Sequence, residues 1–193
     1  MIIYVTNRKL CKCNFLKQIQ QLAMGKPHGI MLREKDMDDD EYEKLASNIM
    51  EVCKVYSVPL LINQNMKVAQ KLKNPNIHLS MTNLRNHYDE IDSFVNIGAS
   101  VHTVSEAVEA VSLGATYLIA GHIFSTDSKK GVPPRGLTFL KNVCESVTVP
   151  VFAIGGIKRN HVHEIKAMGA KGVCIMSEAM TSEEPVTLSQ AFR

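Results

Sequence analysis

A histidine stands in this sequence at the point where an apolar run gives way to a polar loop. His122 follows the apolar stretch at 117–121 and precedes IFSTDSKKG at 123–131, a loop rich in hydroxyl and ammonium groups. An imidazole titrates near neutral pH, so it can accept a proton from a substrate and return it. A single histidine is more often structural than catalytic. Its position nevertheless favours His122 as an acid–base catalyst beside a mobile loop that covers an anionic ligand.

Two cations stand together at a second place. The segment LREK at 32–35 ends an apolar run, and Arg33 and Lys35 share one face because alternate strand residues point the same way. Both cations would then hold an anion. A solvated run of charges is the other interpretation. The acidic stretch Asp38–Glu41 supports it, and we interpret those carboxylates as favourable charges at a helix N-terminus, not as a metal site.

Two adjacent glycines offer a third kind of chemistry. Gly155 and Gly156 follow the apolar run at 149–154, and Met176 and Ser177 follow the next one. Glycines leave backbone N–H groups accessible, and a helix start adds oriented amides and a hydroxyl, which together suit a phosphate group. The other interpretation is a tight turn that needs glycine for its backbone alone. We predict a phosphate site at these four residues.

The elements that position these residues alternate along the chain. Short apolar, β-branched runs recur with helix-period segments between them, as expected of a parallel sheet with crossover helices. One predicted helix spans 39–56, with an apolar face formed by Tyr42, Leu45, Ile49, Val52 and Tyr56. The predicted strands cover residues 2–5, 29–32, 59–62, 76–79, 94–97, 116–120, 149–154 and 172–175.

Eight β/α repeats predict an α/β fold, a (β/α)₈ TIM barrel in which residues 1–193 form a single domain. An open doubly wound sheet is the alternative. The even spacing favours the barrel, as does the absence of a glycine-rich fingerprint after the first strand, where TNRK stands at 6–9. In a barrel the chemistry lies on the loops that follow the strands, where His122, Arg33 and Gly155 stand.

Composition narrows the classes of partner and the compartment. The chain has 193 residues, 45% hydrophobic and 21% charged, with a net charge of +3 and no basic stripe. Nucleic acid is therefore not an expected partner. No apolar stretch approaches the roughly 18 residues of a membrane span, so we expect no membrane partner and a cytoplasmic protein. Five scattered cysteines fit reduced thiols, and the close pair Cys11 and Cys13 lacks partners at zinc spacing.

Several motifs in order along the chain resemble the thiamine phosphate synthase and TenI superfamily. The resemblance covers essentially the whole sequence, and the family is a (β/α)₈ barrel, in agreement with the repeats above. The motifs are LREK at 32–35, LIN at 61–63, IHL at 77–79, IGAS at 97–100, GHIFSTDSKKG at 121–131, AIGGI at 153–157 and IMS at 175–177.

The resemblance implies two branches that differ in their metal ligands. Synthases of the family carry two aspartates that hold Mg²⁺ against a diphosphate, whereas this chain has Asn63-Gln64 and Asn83 at the corresponding positions. Neutral amides hold Mg²⁺ poorly. Synthases also usually have Gly-Pro where this chain has Gly121-His122. These departures favour the TenI branch, in which a histidine at the position of His122 shuttles a proton.

We therefore predict a thiazole tautomerase, an isomerase that aromatises a carboxythiazole phosphate with His122 as the base and no metal or other cofactor. The expected partner is the phosphorylated thiazole, and the sequence leaves open whether the chain forms a homodimer. In this prediction the phosphate lies at Gly155, Gly156, Met176 and Ser177. The residues expected to bind the rest of the substrate are Arg33, Lys35, Asn63, Ser100, Thr126, Ser128 and Lys129.

Two alternatives stay open at this point. The first is a thiamine phosphate synthase, which joins thiazole phosphate to a pyrimidine carried as its diphosphate. Ser100, Thr126, Ser128 and Lys129 support it, because they match positions where synthases contact diphosphate and pyrimidine. The second alternative is a non-catalytic regulatory barrel that binds a thiazole phosphate and reports on it to a protein partner.

Overall fold

A closed barrel of eight strands forms in the computed structural model, which describes residues 1–192. The strands follow one another around the barrel in sequence order, and the registered pairs are parallel. The predicted (β/α)₈ fold is thereby confirmed, and the open doubly wound sheet is excluded. The strands are β1 Ile2–Val5, β2 Gly29–Leu32, β3 Leu60–Asn63, β4 Asn76–Ser80, β5 Asn96–Val101, β6 Tyr117–Gly121, β7 Val151–Ile154 and β8 Gly172–Ile175.

A helix follows each strand, and polar side chains begin many of these helices. The side-chain oxygen of Asp38 accepts the backbone N–H of Glu41, so the acidic stretch does stand at a helix N-terminus. Asn14, Ser80 and Thr103 cap their helices in the same way. The helices are α1 Phe15–Met24, α2 Asp39–Tyr56, α3 Met66–Lys71, α4 Met81–His87, α5 Val104–Ser112, α6 Gly136–Ser146, α7 Val162–Ala167 and α8 Ser177–Thr181.

The strands are continuous apolar runs because both faces of the sheet are covered. Every residue of β1, β2, β3, β6 and β8 is buried. A parallel sheet with helices on its outside and a packed interior has no solvent face, so its strands do not alternate between apolar and polar. For this reason the apolar runs in the sequence predicted the bounds of most strands to within two residues.

Two elements differ from the sequence prediction. Strand β5 spans Asn96–Val101 where residues 94–97 were predicted, because glycine, alanine and serine at 98–100 carry no strand signal. Helix α2 has the predicted bounds but turns a different face inward, with Tyr42, Ala46, Ile49 and Cys53 buried. Small side chains allow α2 to lie close to its neighbours, whereas Leu45 is only half-buried.

The chain divides into two compact units, residues 1–77 with the C-terminal segment from 175, and residues 78–174. In the first unit β1, β2 and β3 pair in register, and the amide of Gln18 on α1 donates to the carbonyls of Ala179 and Ser182. In the second unit β5, β6, β7 and β8 pair in register. The single domain stays a prediction. None of the described helices is long and apolar enough to cross a membrane.

Candidate active site

The end of β2 is fixed by a hydrogen-bond chain that starts on the neighbouring strand. The backbone N–H of Arg33 donates to Thr6 Oγ1 at 2.9 Å, and the Thr6 hydroxyl donates to Glu34 Oε1 at 2.7 Å. Arg33 is half-buried and Lys35 is exposed. These hydrogen bonds fix the main chain at Arg33 and Glu34, and therefore fix the backbone from which the Arg33 and Lys35 side chains extend.

Glu34 is the anchor of this arrangement. Its carboxylate is almost fully buried and accepts the backbone N–H of Arg8 at 3.0 and 3.1 Å and the Arg8 guanidinium at 3.1 Å. The same guanidinium donates two hydrogen bonds to Asp36, at 2.6 and 2.9 Å. These bonds hold the pKa of Asp36 well below its usual range. The Arg8 guanidinium is therefore already paired with two carboxylates, so it is not available to bind an anionic ligand.

Arg33 and Lys35, in contrast, have no carboxylate within ion-pair distance among residues 1–192. A guanidinium and an ammonium group without acidic partners retain their capacity to bind an anionic ligand. Both cations lie just after β2, which ends at Leu32, so the strand alternation used to place them on one face does not extend to them. Their role toward a ligand stays a prediction.

The hydroxyl of Tyr42 bridges the ends of β2 and β3. It donates to the carbonyl of Leu32 at 2.7 Å and accepts the backbone N–H of Asn63 at 3.3 Å. Burial raises the pKa of Tyr42, so the phenol keeps its proton. Asn63, a predicted ligand contact, is buried at the last position of β3, and Gln64 follows with a left-handed backbone, φ +67°. This bridge fixes the backbone that carries both amides.

The segment after β8 matches the predicted helix start. Met176 is half-buried at the N-cap position, and Ser177 is the exposed first residue of α8. The carbonyl of Ser177 accepts the hydroxyl of Thr181 at 3.0 Å, inside the same short helix. The structure therefore confirms the helix start but does not test its binding of phosphate.

In the second unit, His122 closes the base of the loop that follows β6. Its side chain is buried, with Nε2 3.2 Å from the carbonyl oxygen of Val132, and its own carbonyl accepts the backbone N–H of Arg135 at 3.0 Å. The Gly121–His122 peptide bond is cis. A carbonyl can only accept, so Nε2 carries a proton and donates it to Val132. His122 therefore holds the two ends of the loop together.

The glycine pair packs directly against this loop. Gly155 and Gly156 have φ values of +99° and +65°, and a Cβ on either would collide, on Gly155 with His122 and on Gly156 with the Ser125 carbonyl. The backbone N–H of Phe124 donates to the Gly155 carbonyl at 3.0 Å. Glycine is thus required at both positions for backbone conformation and close approach, which was the alternative interpretation. Phosphate binding there stays a prediction.

The loop residues predicted to bind the substrate lie on one short turn. Thr126 caps a single 3₁₀ turn, Asp127–Lys129, its Oγ1 accepting the backbone N–H of Ser128 at 3.4 Å. Ser128 and Lys129 are exposed, and Thr126 is half-buried. These three residues are therefore brought together, with their side chains at the surface of the second unit.

Ser100 is part of a buried polar chain that the sequence analysis did not predict. Its Oγ lies 2.8 Å from Nε2 of His78, whose Nδ1 lies 3.2 Å from the hydroxyl of Tyr117. His78 is buried in the middle of β4, and burial lowers its pKa to about 3. A histidine between the apolar strand residues Ile77 and Leu79 was the available signal, as a buried imidazole requires hydrogen-bonding partners.

Comparison with known proteins shows similarity along almost the whole chain. The sequence model of the thiamine monophosphate synthase (TMP-TENI) family matches residues 2–179. The chain belongs to this family. It is 34% identical to a thiamine-phosphate synthase of Fusobacterium nucleatum, over 95% of this chain and 90% of that protein. A thiamine-phosphate synthase of Clostridium tetani is 30% identical, over 93% of this chain and 88% of that protein.

Solved structures give the same result. Thiamine phosphate pyrophosphorylase from Pyrococcus furiosus superposes with a TM-score of 0.85 and 27% identity, covering all of this chain and 93% of that one. A 3-hexulose-6-phosphate synthase, 13% identical with a TM-score of 0.73, shares the fold alone. The Fusobacterium and Clostridium relatives are thus named thiamine-phosphate synthases, and the Pyrococcus protein a thiamine phosphate pyrophosphorylase.

The predicted thiazole tautomerase, and with it the isomerase class, is therefore wrong. Relatives with 29–34% identity over at least 93% of this chain are named thiamine-phosphate synthases. The tautomerase prediction rested on His122 and on the amides Gln64 and Asn83, whereas the similarity to synthases extends over 95% of the chain. The structure supplies a physical reason for the error at His122: a buried ring that donates to the Val132 carbonyl has a structural function in the loop.

Proposed function

We propose that this chain is a thiamine-phosphate synthase, a transferase that joins thiazole phosphate to a pyrimidine carried as its diphosphate and releases diphosphate. The observation that carries the proposal is the whole-chain similarity to proteins with that name, at 30–34% identity. In this reaction the thiazole forms a bond to the carbon that bears the diphosphate. The bond from that carbon to the diphosphate oxygen breaks.

A leaving diphosphate requires positive charge, and the end of β2 offers it. Arg33 and Lys35 have no acidic partner among the described residues, and the Thr6–Glu34 chain fixes the backbone between them. A guanidinium can take two phosphate oxygens at once, and an ammonium adds a point charge. In the proposal these two groups bind the diphosphate and stabilise the charge that grows as it leaves.

The remaining predicted residues divide between the two substrates. Ser100, Thr126, Ser128 and Lys129 match the positions at which synthases contact diphosphate and pyrimidine, and Asn63 adds a buried amide. We assign the phosphate of the thiazole to the backbone amides of Gly155, Gly156 and Met176 and to the start of α8 at Ser177. These assignments extend the family resemblance to the residues that match its motifs.

Magnesium, which the resemblance implies for synthases, does not fit the donors of this chain. The corresponding positions carry the neutral amides of Gln64 and Asn83, and Asn63 adds another. Within residues 1–192 no cluster of three histidine, cysteine or carboxylate side chains could hold a metal ion. Mg²⁺ prefers anionic oxygen ligands. The charge of the diphosphate is therefore assigned to arginine and lysine side chains alone.

Release of diphosphate tests the proposal directly. The protein is incubated with thiazole phosphate and the pyrimidine diphosphate, with and without added Mg²⁺, and both diphosphate and thiamine phosphate are measured. We expect equimolar products that require both substrates. Arg33→Gln should lower kcat/KM by about 10- to 100-fold, the usual value of a hydrogen bond to a charged group. Lys44→Gln, an exposed change on the outer helix α2, is the control.

Two results would contradict this assignment. If calorimetry shows that thiazole phosphate binds but no diphosphate is released under any condition, the chain is a binding protein and not a synthase. If Arg33→Gln and Lys44→Gln have the same kcat/KM as the unaltered protein, the cations after β2 do not bind the diphosphate.

A further inference from the structure

Three side chains from consecutive strands form a hydrogen-bonded row inside the second unit. The hydroxyl of Tyr117 on β6 lies 3.2 Å from His78 Nδ1 on β4, and His78 Nε2 lies 2.8 Å from Ser100 Oγ on β5. The rings of Tyr117 and Phe152 on β7 are also in a T-shaped contact, with 6.2 Å between ring centroids. Side chains of four strands that meet in this way point into the barrel interior.

A glycine keeps this row compact. Gly98 is the strand partner of Tyr117, and a Cβ added to Gly98 would collide with the Tyr117 ring and with His78 Nδ1. Gly98 therefore makes room for the hydrogen bond between Tyr117 and His78. The close approach of Tyr117 and His78 therefore depends on a glycine in β5.

The protons in this row can be assigned. Burial keeps the His78 ring neutral near pH 7, its pKa lowered to about 3, so it carries a single N–H. Burial also raises the pKa of Tyr117 well above its usual value, so the phenol keeps its proton. A phenol is the stronger donor of the two groups, so its O–H points to Nδ1. The ring proton then lies on Nε2 and points to Ser100.

We propose that His78 is a positioning residue that makes Ser100 an acceptor toward the protein and therefore a donor toward the substrate. Because the hydroxyl of Ser100 accepts from the Nε2–H of His78 through one of its lone pairs, its own proton stays available for an acceptor atom of the ligand. Ser100 is half-buried, so a ligand can reach it. The acceptor is a ring nitrogen of the pyrimidine or an oxygen of its diphosphate. The ligand identity rests on the proposed synthase function, whereas the proton arrangement does not.

The proton arrangement is tested without substrate. NMR of the protein labelled in its imidazole nitrogens should show His78 with the proton on Nε2 at neutral pH. Tyr117→Phe removes the donor to Nδ1 at almost constant volume, and it should raise the population of the other tautomer. If the unaltered protein carries the proton on Nδ1, the proposal is overturned, whether or not the chain is a synthase.

The ligand part is tested by calorimetry with two probes, the free pyrimidine alcohol and inorganic diphosphate. Ser100→Ala should weaken binding of one probe by about 5- to 10-fold, the usual value of one hydrogen bond, and so identify which acceptor Ser100 contacts. His78→Met should cause the same loss, and the double variant should lose no more than either single variant. His78→Gln keeps an N–H at the position of Nε2 and should restore most of the binding.

Two results of these binding measurements would contradict the proposal. Independent, additive losses in Ser100→Ala and His78→Met would show that His78 does not act through Ser100. Unchanged binding of both probes in Ser100→Ala would remove the donor role. Thermal unfolding of each variant identifies any that fail to fold, and the conservative pair Tyr117→Phe and Ser100→Ala then decides the proposal. Failure of the synthase assay alone affects neither the tautomer nor the binding of the probes.

Discussion

Nε2 of His122 lies 3.2 Å from the carbonyl oxygen of Val132, ten residues further along the chain. Because that oxygen only accepts, the ring proton lies on Nε2, and the buried Nδ1 has no hydrogen-bond partner among the described residues. The imidazole that the sequence presented as a proton carrier thus holds the loop of 123–135 at its base.

The first prediction concerns this loop. His122→Ala removes a buried ring and the donor to Val132, so the free energy of unfolding should fall by about 2–4 kcal/mol. Trypsin should then cleave faster after the exposed Lys129 and Lys130. Urea unfolding and a proteolysis time course measure both effects. His163→Ala, an exposed change on α7, is the control, and equal cleavage rates in the two variants would show that His122 does not restrain the loop.

A second prediction separates the two reasons for glycine after β7. Gly156→Ala forces both an unfavourable positive φ and a collision with the Ser125 carbonyl, whereas Gly131→Ala forces only the positive φ, +82°, because nothing lies near its Cβ. We expect Gly131→Ala to cost about 1 kcal/mol of unfolding free energy and Gly156→Ala about 3 kcal/mol. Urea unfolding measures both. Similar losses would mean that the loop shifts easily and that close packing is not the reason for this glycine.

The strands were predictable because a buried parallel strand needs nothing but apolar residues, a local property. The bounds of β5 were not, because Gly98 leaves the space for Tyr117 and Ser100 makes the hydrogen bond to His78, which is a relation among three strands. The positions of Arg33 and Ser177 were also predictable, because each follows closely on the end of an apolar strand. The hydrogen bonds that anchor Arg33 through Thr6 could not be predicted from the sequence, because Thr6 follows β1 whereas Arg33 and Glu34 follow β2.

A third prediction concerns the metal. Replacing Gln64 and Asn83 by aspartate restores carboxylates at the positions where the family resemblance implies Mg²⁺ ligands. The double variant should bind Mg²⁺ at least about tenfold more tightly than the unaltered protein, as expected when anionic oxygens replace neutral amides. Calorimetric titration measures this. Asn86→Asp, an exposed change on α4, controls for added charge, and equal Mg²⁺ affinity in all three proteins would show that these positions are not metal ligands.

The last prediction follows from the buried neutral ring of His78. Its pKa is lowered to about 3 in the folded protein, whereas the unfolded chain protonates this histidine below about pH 6.5. The unfolded state therefore binds the extra proton as the pH falls between these values. The stability that comes from the lowered pKa is present above about pH 6.5 and is lost on acidification, by up to about 1.4 kcal/mol per pH unit.

Urea unfolding of the unaltered protein and of His78→Gln from about pH 7 to about pH 4 isolates this contribution, since glutamine does not titrate. We expect the stability of the unaltered protein to fall more steeply, so that the difference between the two proteins shrinks or reverses at low pH. His163→Gln removes an exposed histidine and should follow the unaltered protein. Parallel curves for all three proteins would mean that His78 takes up its proton in the folded protein over the same pH range as in the unfolded chain, below about pH 6.5. Below that pH Ser100 could not be held as argued, because a protonated ring has no acceptor for the phenol of Tyr117.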